Sequence, residues 1–246
     1  MFSAKVRGKS TGMTRHGHIL PVFLVALVTL VATAPTLWAI PFSKTKIIIE
    51  VNATDGDAGI QIFVDAAGWT RLEVFDPNGQ KILDVSGSGS VGMQGVTELF
   101  YESAEPSFEE LSLDELLARF PEGQYTFVGM TVDGQALTGK ATLTHNIPDG
   151  PVIVSPQEDA AVDPNNAVIS WNSVTTPAGI KIVGYQVIVA REKPTLRVFS
   201  VDVSSTTTSV TVPPEFMEPK TAYKYEVLAI EAGGNQTISE RQFKTR

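Results

Sequence analysis

The sequence predicts a mainly β chain: two β-sandwich domains, one short helix in the first of them, and an export segment ahead of both. Three observations predict this. Apolar and polar residues alternate with period two through both halves, and turn residues interrupt the alternation. A proline- and glycine-rich junction, Ile147-Pro-Asp-Gly-Pro151, divides the halves. Charge changes across it: residues 46–146 hold 16 acidic and 5 basic side chains, residues 147–246 hold 11 and 9.

Residues 1–39 read as a signal peptide. Lys5, Arg7, Lys9 and Arg15 make a basic start without an acidic residue, and the apolar run 19–34 is interrupted by Pro21, Thr29 and Thr33. That run falls short of the roughly 20 apolar residues of a spanning helix. Leu37-Trp38-Ala39 places cleavage after Ala39. Retention as an uncleaved N-terminal anchor is the alternative. With the segment removed no membrane span is expected, and the location is periplasmic or extracellular. Residues 40–45 then read as an N-terminal linker.

Removal of 39 residues leaves 207, with 15 basic and 27 acidic side chains, a net −12. That length suits two domains of about 100 residues each. So acidic a chain repels phosphates, which excludes non-specific nucleic-acid binding and favours cationic partners. There is no cysteine, so stability rests on apolar cores, in keeping with a bacterial cell-envelope protein more than an animal extracellular one. Asn52-Ala-Thr54 and Asn235-Gln-Thr237 match the glycosylation acceptor pattern, which arises often by chance.

In the first domain, 46–146, strands are expected at 46–51, 61–65, 70–75 and 81–85, with Asp76-Pro-Asn-Gly79 as the turn between the last two. A hairpin over Asp133-Gly134 joins 125–131 to 136–144. Ser112 and Glu115 have the spacing of a capping box, so a helix is expected at 113–120, ended by Pro121 and Gly123. Its Leu113, Leu116, Leu117 and Phe120 would pack against the sheet. This half resembles generic bacterial immunoglobulin-like sandwiches.

In the second domain, 152–246, after the 147–151 linker, four sets of residues each share a strand face. They are Ala167, Ile169 and Trp171; Tyr185, Val187 and Val189; Val210 and Val212; and Tyr223, Tyr225, Val227 and Ala229. The segment Met217-Glu-Pro219-Lys-Thr221-Ala-Tyr223, followed by Lys-Tyr225-Glu-Val227-Leu-Ala229, resembles a fibronectin type III domain, which writes Leu-x-Pro-x-Thr-x-Tyr there. The resemblance implies a sandwich with Trp171 and Tyr185 as central core aromatics. It also implies that the Tyr223 hydroxyl bonds back to nearby backbone as a corner. The family's Arg-Gly-Asp adhesion tripeptide is absent. The loop 231–236 reads as a tight connection, with a contact surface as the alternative.

The residues give catalysis little footing. No thiol nucleophile exists, and only His145 survives signal removal to serve a serine–histidine site. A two-carboxylate glycosidase is chemically possible. The glycine-rich stretch 85–95 lacks a lysine and helix signal in the order that a phosphate-cradling loop needs, and reads as a flexible connector. Asp55 and Asp57 in segment 52–59 are the candidate metal ligands, carboxylates two apart on a turn that suit calcium. The helix–loop–helix calcium pattern fails at Ile60 and Ala66. Glu102, Glu105, Glu109, Glu110, Asp114 and Glu115 read as the wet face of the helix and its approach, or as a patch for a basic partner. The expected function is a non-enzymatic secreted or envelope binding module for protein or polysaccharide, without a cofactor unless calcium binds. A spacer within a larger envelope assembly is the alternative, ahead of a carbohydrate-active enzyme.

Overall fold

A computed structural model describes residues 38–246; the signal-peptide reading lies almost wholly outside them. The first half consists of Ile40–Pro41 (β1), Lys44–Asn52 (β2), Asp57–Phe75 (β3), Lys81–Ser86 (β4), Gly89–Gln94 (α1), Val96–Glu102 (β5), Leu113–Arg119 (α2), Gly123–Thr131 (β6) and Ala136–Leu143 (β7). The second consists of Ile153–Ser155 (β8), Ala160–Val162 (β9), Ala167–Trp171 (β10), Ile182–Glu192 (β11), Thr195–Ser204 (β12), Ser209–Val212 (β13), Ala222–Glu231 (β14) and Gln236–Thr245 (β15). Among the described residues, no helix is long and apolar enough to cross a membrane.

The first half is a sandwich whose two layers share one strand. The stretches 61–65 and 70–75 are both part of β3. Its opening part pairs with β2 and β5, and its closing part with β4 and β6. Breaks in register around Trp69 carry it from one layer to the other. Ile47, Ile49, Ile60 and Ile62 from one layer meet Leu72, Val74, Tyr125 and Phe127 from the other in a single core. Helix α2 closes that core. Ser112 and Glu115 form both bonds of the capping box, Leu116 is buried, and Leu113, Leu117 and Phe120 pack against the cluster.

Three expectations for this half are corrected. Residues 40–45 are not a linker: Ile40 pairs with Leu137, Phe42 is buried, and β2 begins at Lys44. Alternating apolar side chains at 40 and 42 have a core to enter, which a linker would leave in water. The glycine-rich stretch is not a flexible connector either, for it folds into α1. Gly92 lies so close to Gly87 that a Cβ on it would stand 2.8 Å from the Gly87 carbonyl oxygen, a contact only glycine permits. Glu102, expected on the approach to the helix, belongs to strand β5. The alternation of Glu98, Phe100 and Glu102 against Leu99 and Tyr101 carries that signal.

The second half packs a three-stranded sheet, β13-β10-β8, on β12-β11-β14-β15. Ala167, Ile169, Trp171, Tyr185, Val187, Tyr223, Tyr225 and Val227 fill the space between. Trp171 and Tyr185 stand 5.3 Å apart, centroid to centroid, in tilted contact. The Glu218 N–H donates to the Tyr223 hydroxyl oxygen at 2.7 Å, which makes the expected corner.

The halves are joined through backbone. β15 pairs in parallel with β2, Gln236 opposite Glu50, so that one 12-stranded sheet runs through both. The loop 231–236 is a tight turn, and its Asn235 inserts into the first half at 1% exposure. The Asn235 carboxamide oxygen accepts from Ile49 N–H at 2.9 Å, and its Nδ2 donates to the carbonyls of Thr144 at 2.8 Å and Asn146 at 3.1 Å. The 147–151 segment is held as well: Pro148 and Pro151 are buried, and Thr237 Oγ1 donates to the Pro148 carbonyl at 2.6 Å.

Candidate functional site

Strand alternation gives β2 two different faces. Ile47, Ile49 and Val51 enter the core, while Ile48 and Glu50 point the other way, onto the outer face of the shared sheet. Ile48, Ile188 and Leu228 are buried there although they belong to neither core. Phe100 of β5, Gln61 of β3, Glu50 of β2, Gln236 of β15, Leu228 of β14, Ile188 of β11 and Arg197 of β12 all line one concavity of about 310 Å³. Seven strands laid flat span about 29 Å at the usual spacing. A single concavity that reaches the first and last of them makes this face a trough.

One wall of the trough is acidic. Carboxylate oxygens of Glu50, Glu102 and Glu105 lie within 4.8 Å of one another. Glu50 accepts a hydrogen bond from Gln236 Nε2, across the seam between the halves. Glu102 accepts from Gln61 Nε2 at 2.9 Å. Glu105 reaches the group because Gly59, opposite Glu50 in the β2–β3 ladder, has no side chain: a Cβ there would lie 2.8 Å from Glu105 Cγ. Burial, then the charges of Glu50, Glu102 and Asp57, push the Glu105 carboxyl up to about 7. Burial likewise raises the Glu50 carboxyl. Such a group can share protons, hold a divalent cation or receive an ammonium or guanidinium. A glycosidase would set its two carboxyls on either side of a sugar ring; here all three rise from one wall.

Asp55 and Asp57 stand beside this group, on the β2–β3 hairpin. Asn52 Oδ1 accepts from the N–H groups of Thr54 and Asp55, and Gly56 takes the positive φ that the turn needs. Asn52 Nδ2 donates to Asp55 Oδ2 at 3.3 Å. Asp57 Oδ1 is buried without a hydrogen-bond partner. Burial and the Asp55 charge raise the Asp57 carboxyl. Lys224 faces the hairpin: burial works against its ammonium, but Glu240 at 2.5 Å, with help from Glu226 and Asp55, holds its pKa above the ordinary value.

His145 serves the fold. Its ring Nε2 lies 2.9 Å from the Phe120 carbonyl, and its N–H donates to Glu122 at 2.5 Å. Of the glycosylation patterns, the one at Asn235 is sealed in the seam. The residues that sequence reasoning missed are Glu50, Gly59, Phe100 and Gln236. A glutamate inside the apolar run Ile47-Ile-Ile-Glu50-Val51 was the available signal for the first. The strand pairings that gather the others have no local signature.

Three strands packed on four, with the tyrosine corner at the start of β14, decide the fold of the second half. It is fibronectin type III-like. The FN1–FN3 domains of chicken CNTN1 are similar at a TM-score of 0.35 and 16% identity, over 85% of this chain and 68% of that one. A two-domain fibronectin type III segment of chicken tenascin scores 0.30 at 14% identity, over 82% and 98%. The fn3 domain of human collagen alpha-1(XX) chain scores 0.30 at 23% identity, over 40% and 82%. No family model matches the chain, and no curated protein does.

Proposed function

We propose that this is a non-enzymatic binding module, secreted or held in the cell envelope, which uses the trough to bind a protein or polysaccharide. The observation that carries the reading is the concave sheet face. It unites side chains from seven strands and both halves, and it leaves Phe100 58% exposed beside a lining of mixed polar, charged and apolar side chains. Aromatic side chains are enriched where partners bind. The fibronectin type III-like fold agrees with a display role without naming a ligand. The test is capture from envelope and secreted material of the source cells, with the wild-type chain and with Phe100→Asp as bait. A protein or polysaccharide retained by the first and lost by the second supports the reading. Equal capture by both, or none, removes it, and no capture favours the spacer role, to which the Asn235 seam is suited.

Calcium at Asp55 and Asp57 is a second reading, favoured by the buried, unpartnered Asp57 Oδ1. It predicts that millimolar calcium raises the melting temperature and that Asp57→Ala abolishes the rise. A melting curve unmoved by calcium ends it.

A further inference from the structure

One end of the first half is almost free of charge. Residues 46–146 hold 16 acidic side chains, yet in the segments 38–43, 66–70, 85–97 and 130–136 Asp133 is the one charged residue. These segments meet. Val132 N–H donates to the Gly68 carbonyl at 3.0 Å, and Ile40, Gly68, Gln94 and Val132 line one concavity of about 390 Å³. Helix α1 is turned outward there: it buries none of its residues and leaves Met93 76% exposed. Val91 and Val132 are exposed too, and so is Trp38, two residues before Ile40, at 90%. The seam lies at the opposite end of the strands, for β7 leads from Ala136 here to Leu143, next to the Thr144 that Asn235 holds.

We propose that this end of the fold rests on a lipid bilayer. The contact is separate from the trough and independent of what the trough binds. The chain enters the fold at this end, and only residues 35–37 separate Trp38 from the apolar run 19–34. With that run held in a membrane, as in the anchored alternative, six residues lead from Ala34 to Ile40, a reach of at most about 20 Å. The exposed apolar side chains then stand at the level of the interface. Tryptophan favours that level, where its ring is covered and its N–H meets polar headgroups. Val91, Met93 and Val132 leave water for the boundary of the acyl chains. An anionic leaflet repels acidic surface within a Debye length, and an uncharged end meets no such repulsion.

The chain has no cysteine, so a single one can be introduced and labelled. The test places an environment-sensitive nitrobenzoxadiazole label on Met93→Cys or, as the control at the other end of β4, on Gln80→Cys. Each full-length chain is reconstituted in phosphatidylcholine–phosphatidylglycerol vesicles that contain a nitroxide-bearing lipid. The label at position 93 is expected to shift to the blue and to be quenched at least threefold more than the label at position 80. Val91→Asp and, separately, Val132→Asp change exposed side chains and leave the apolar run intact. Added to the Met93→Cys chain, each should halve the quenching at least, with an unchanged melting temperature. Equal quenching at both positions, or none, overturns the proposal. Quenching untouched by both aspartates reduces it to tethering by the apolar run and overturns it as well. A blue shift that appears without vesicles and grows with protein concentration assigns this end to a second copy of the chain, and the bilayer contact falls.

Discussion

Each half places a helical segment just ahead of a tyrosine that reaches back to backbone: α2 before Tyr125, and the short turn Pro214–Phe216 before Tyr223. The polarity of the two bonds is opposite. Tyr125 donates its hydroxyl proton to the Pro121 carbonyl at 3.0 Å, whereas Tyr223 accepts the Glu218 N–H at 2.7 Å. Both rings lie in a core, and burial pushes the Tyr125 phenol up to about 12, so it keeps its proton through the physiological range. The same geometric need, pinning a crossing segment against the start of a strand, is met with either end of a hydroxyl. What differs is the group left exposed to failure: a carbonyl, which keeps a second lone pair for other partners, or an N–H, which has one bond to make.

The strongest way to break the comparison is to cut the halves apart. If each were an independent unit, a substitution in the seam would cost little. Asn235→Ala leaves Ile49 N–H without a partner in a buried place and takes one donor from the part-buried Thr144 and Asn146 carbonyls. We expect a loss of about 3 kcal/mol from unsatisfied buried groups, which lowers the melting temperature by roughly 6–12 °C at this chain length. Calorimetry of the wild type should show one transition, because the shared sheet couples the cores. Two transitions, with Asn235→Ala moving neither, would show that the seam does not bind the halves together.

The corners sharpen it next. Tyr223→Phe orphans a donor and should cost about 2 kcal/mol; Tyr125→Phe orphans an acceptor and should cost about 1 kcal/mol. Urea midpoints of the two variants check the order, and equal midpoints would show that bond polarity is irrelevant at these corners.

The halves also differ in what could be read in advance, for a physical reason. In the second, each strand runs in one sheet, so Ala167-Val-Ile-Ser-Trp171 or Tyr223-Lys-Tyr-Glu-Val227 shows its alternation intact, and the corner motif names the crossing. In the first, β3 changes layers around Trp69, which interrupts the alternation and makes one strand look like two. The helix was legible because its capping box is local. The trough was not, because its acidic wall joins Glu50 to Glu102 and Glu105 through strand register, and Gln236 arrives from a distant hairpin by a parallel pairing. Asp55 and Asp57 were legible as a pair of carboxylates on a turn, while another acidic neighbour of Asp57, Glu240, lies on β15.

That capping box gives a prediction confined to the first half. The Ser112 hydroxyl oxygen accepts from Glu115 N–H, and the Glu115 carboxylate accepts from Ser112 N–H and O–H. Ser112→Ala should cost about 1 kcal/mol, read as a drop of roughly 2–4 °C in the melting temperature. An unchanged melting temperature would mean that packing of Leu116 alone fixes α2.

The smallest expected effect tests whether the acidic wall belongs to one half or to the seam. Glu105 titrates near 7, above the usual carboxylate range, so the folded state holds its proton more tightly than the unfolded chain does. Its contribution is therefore present below the unfolded carboxylate pKa and lost as pH rises through about 7. Glu105 is partly exposed, so screening keeps the effect below about 1 kcal/mol. Melting temperatures from pH 5 to pH 8 should fall more steeply for the wild type than for Glu105→Gln. Gly59→Ala, which displaces Glu105 from its place against β3, should flatten the profile in the same sense. The two profiles running parallel to the wild type would show that Glu105 is not crowded. Gln236→Ala separates the remaining possibilities. Its amide comes from the second half and steadies the Glu50 carboxylate, so its loss should steepen the profile if the wall is a joint construction and leave it alone if the first half sets the charges by itself.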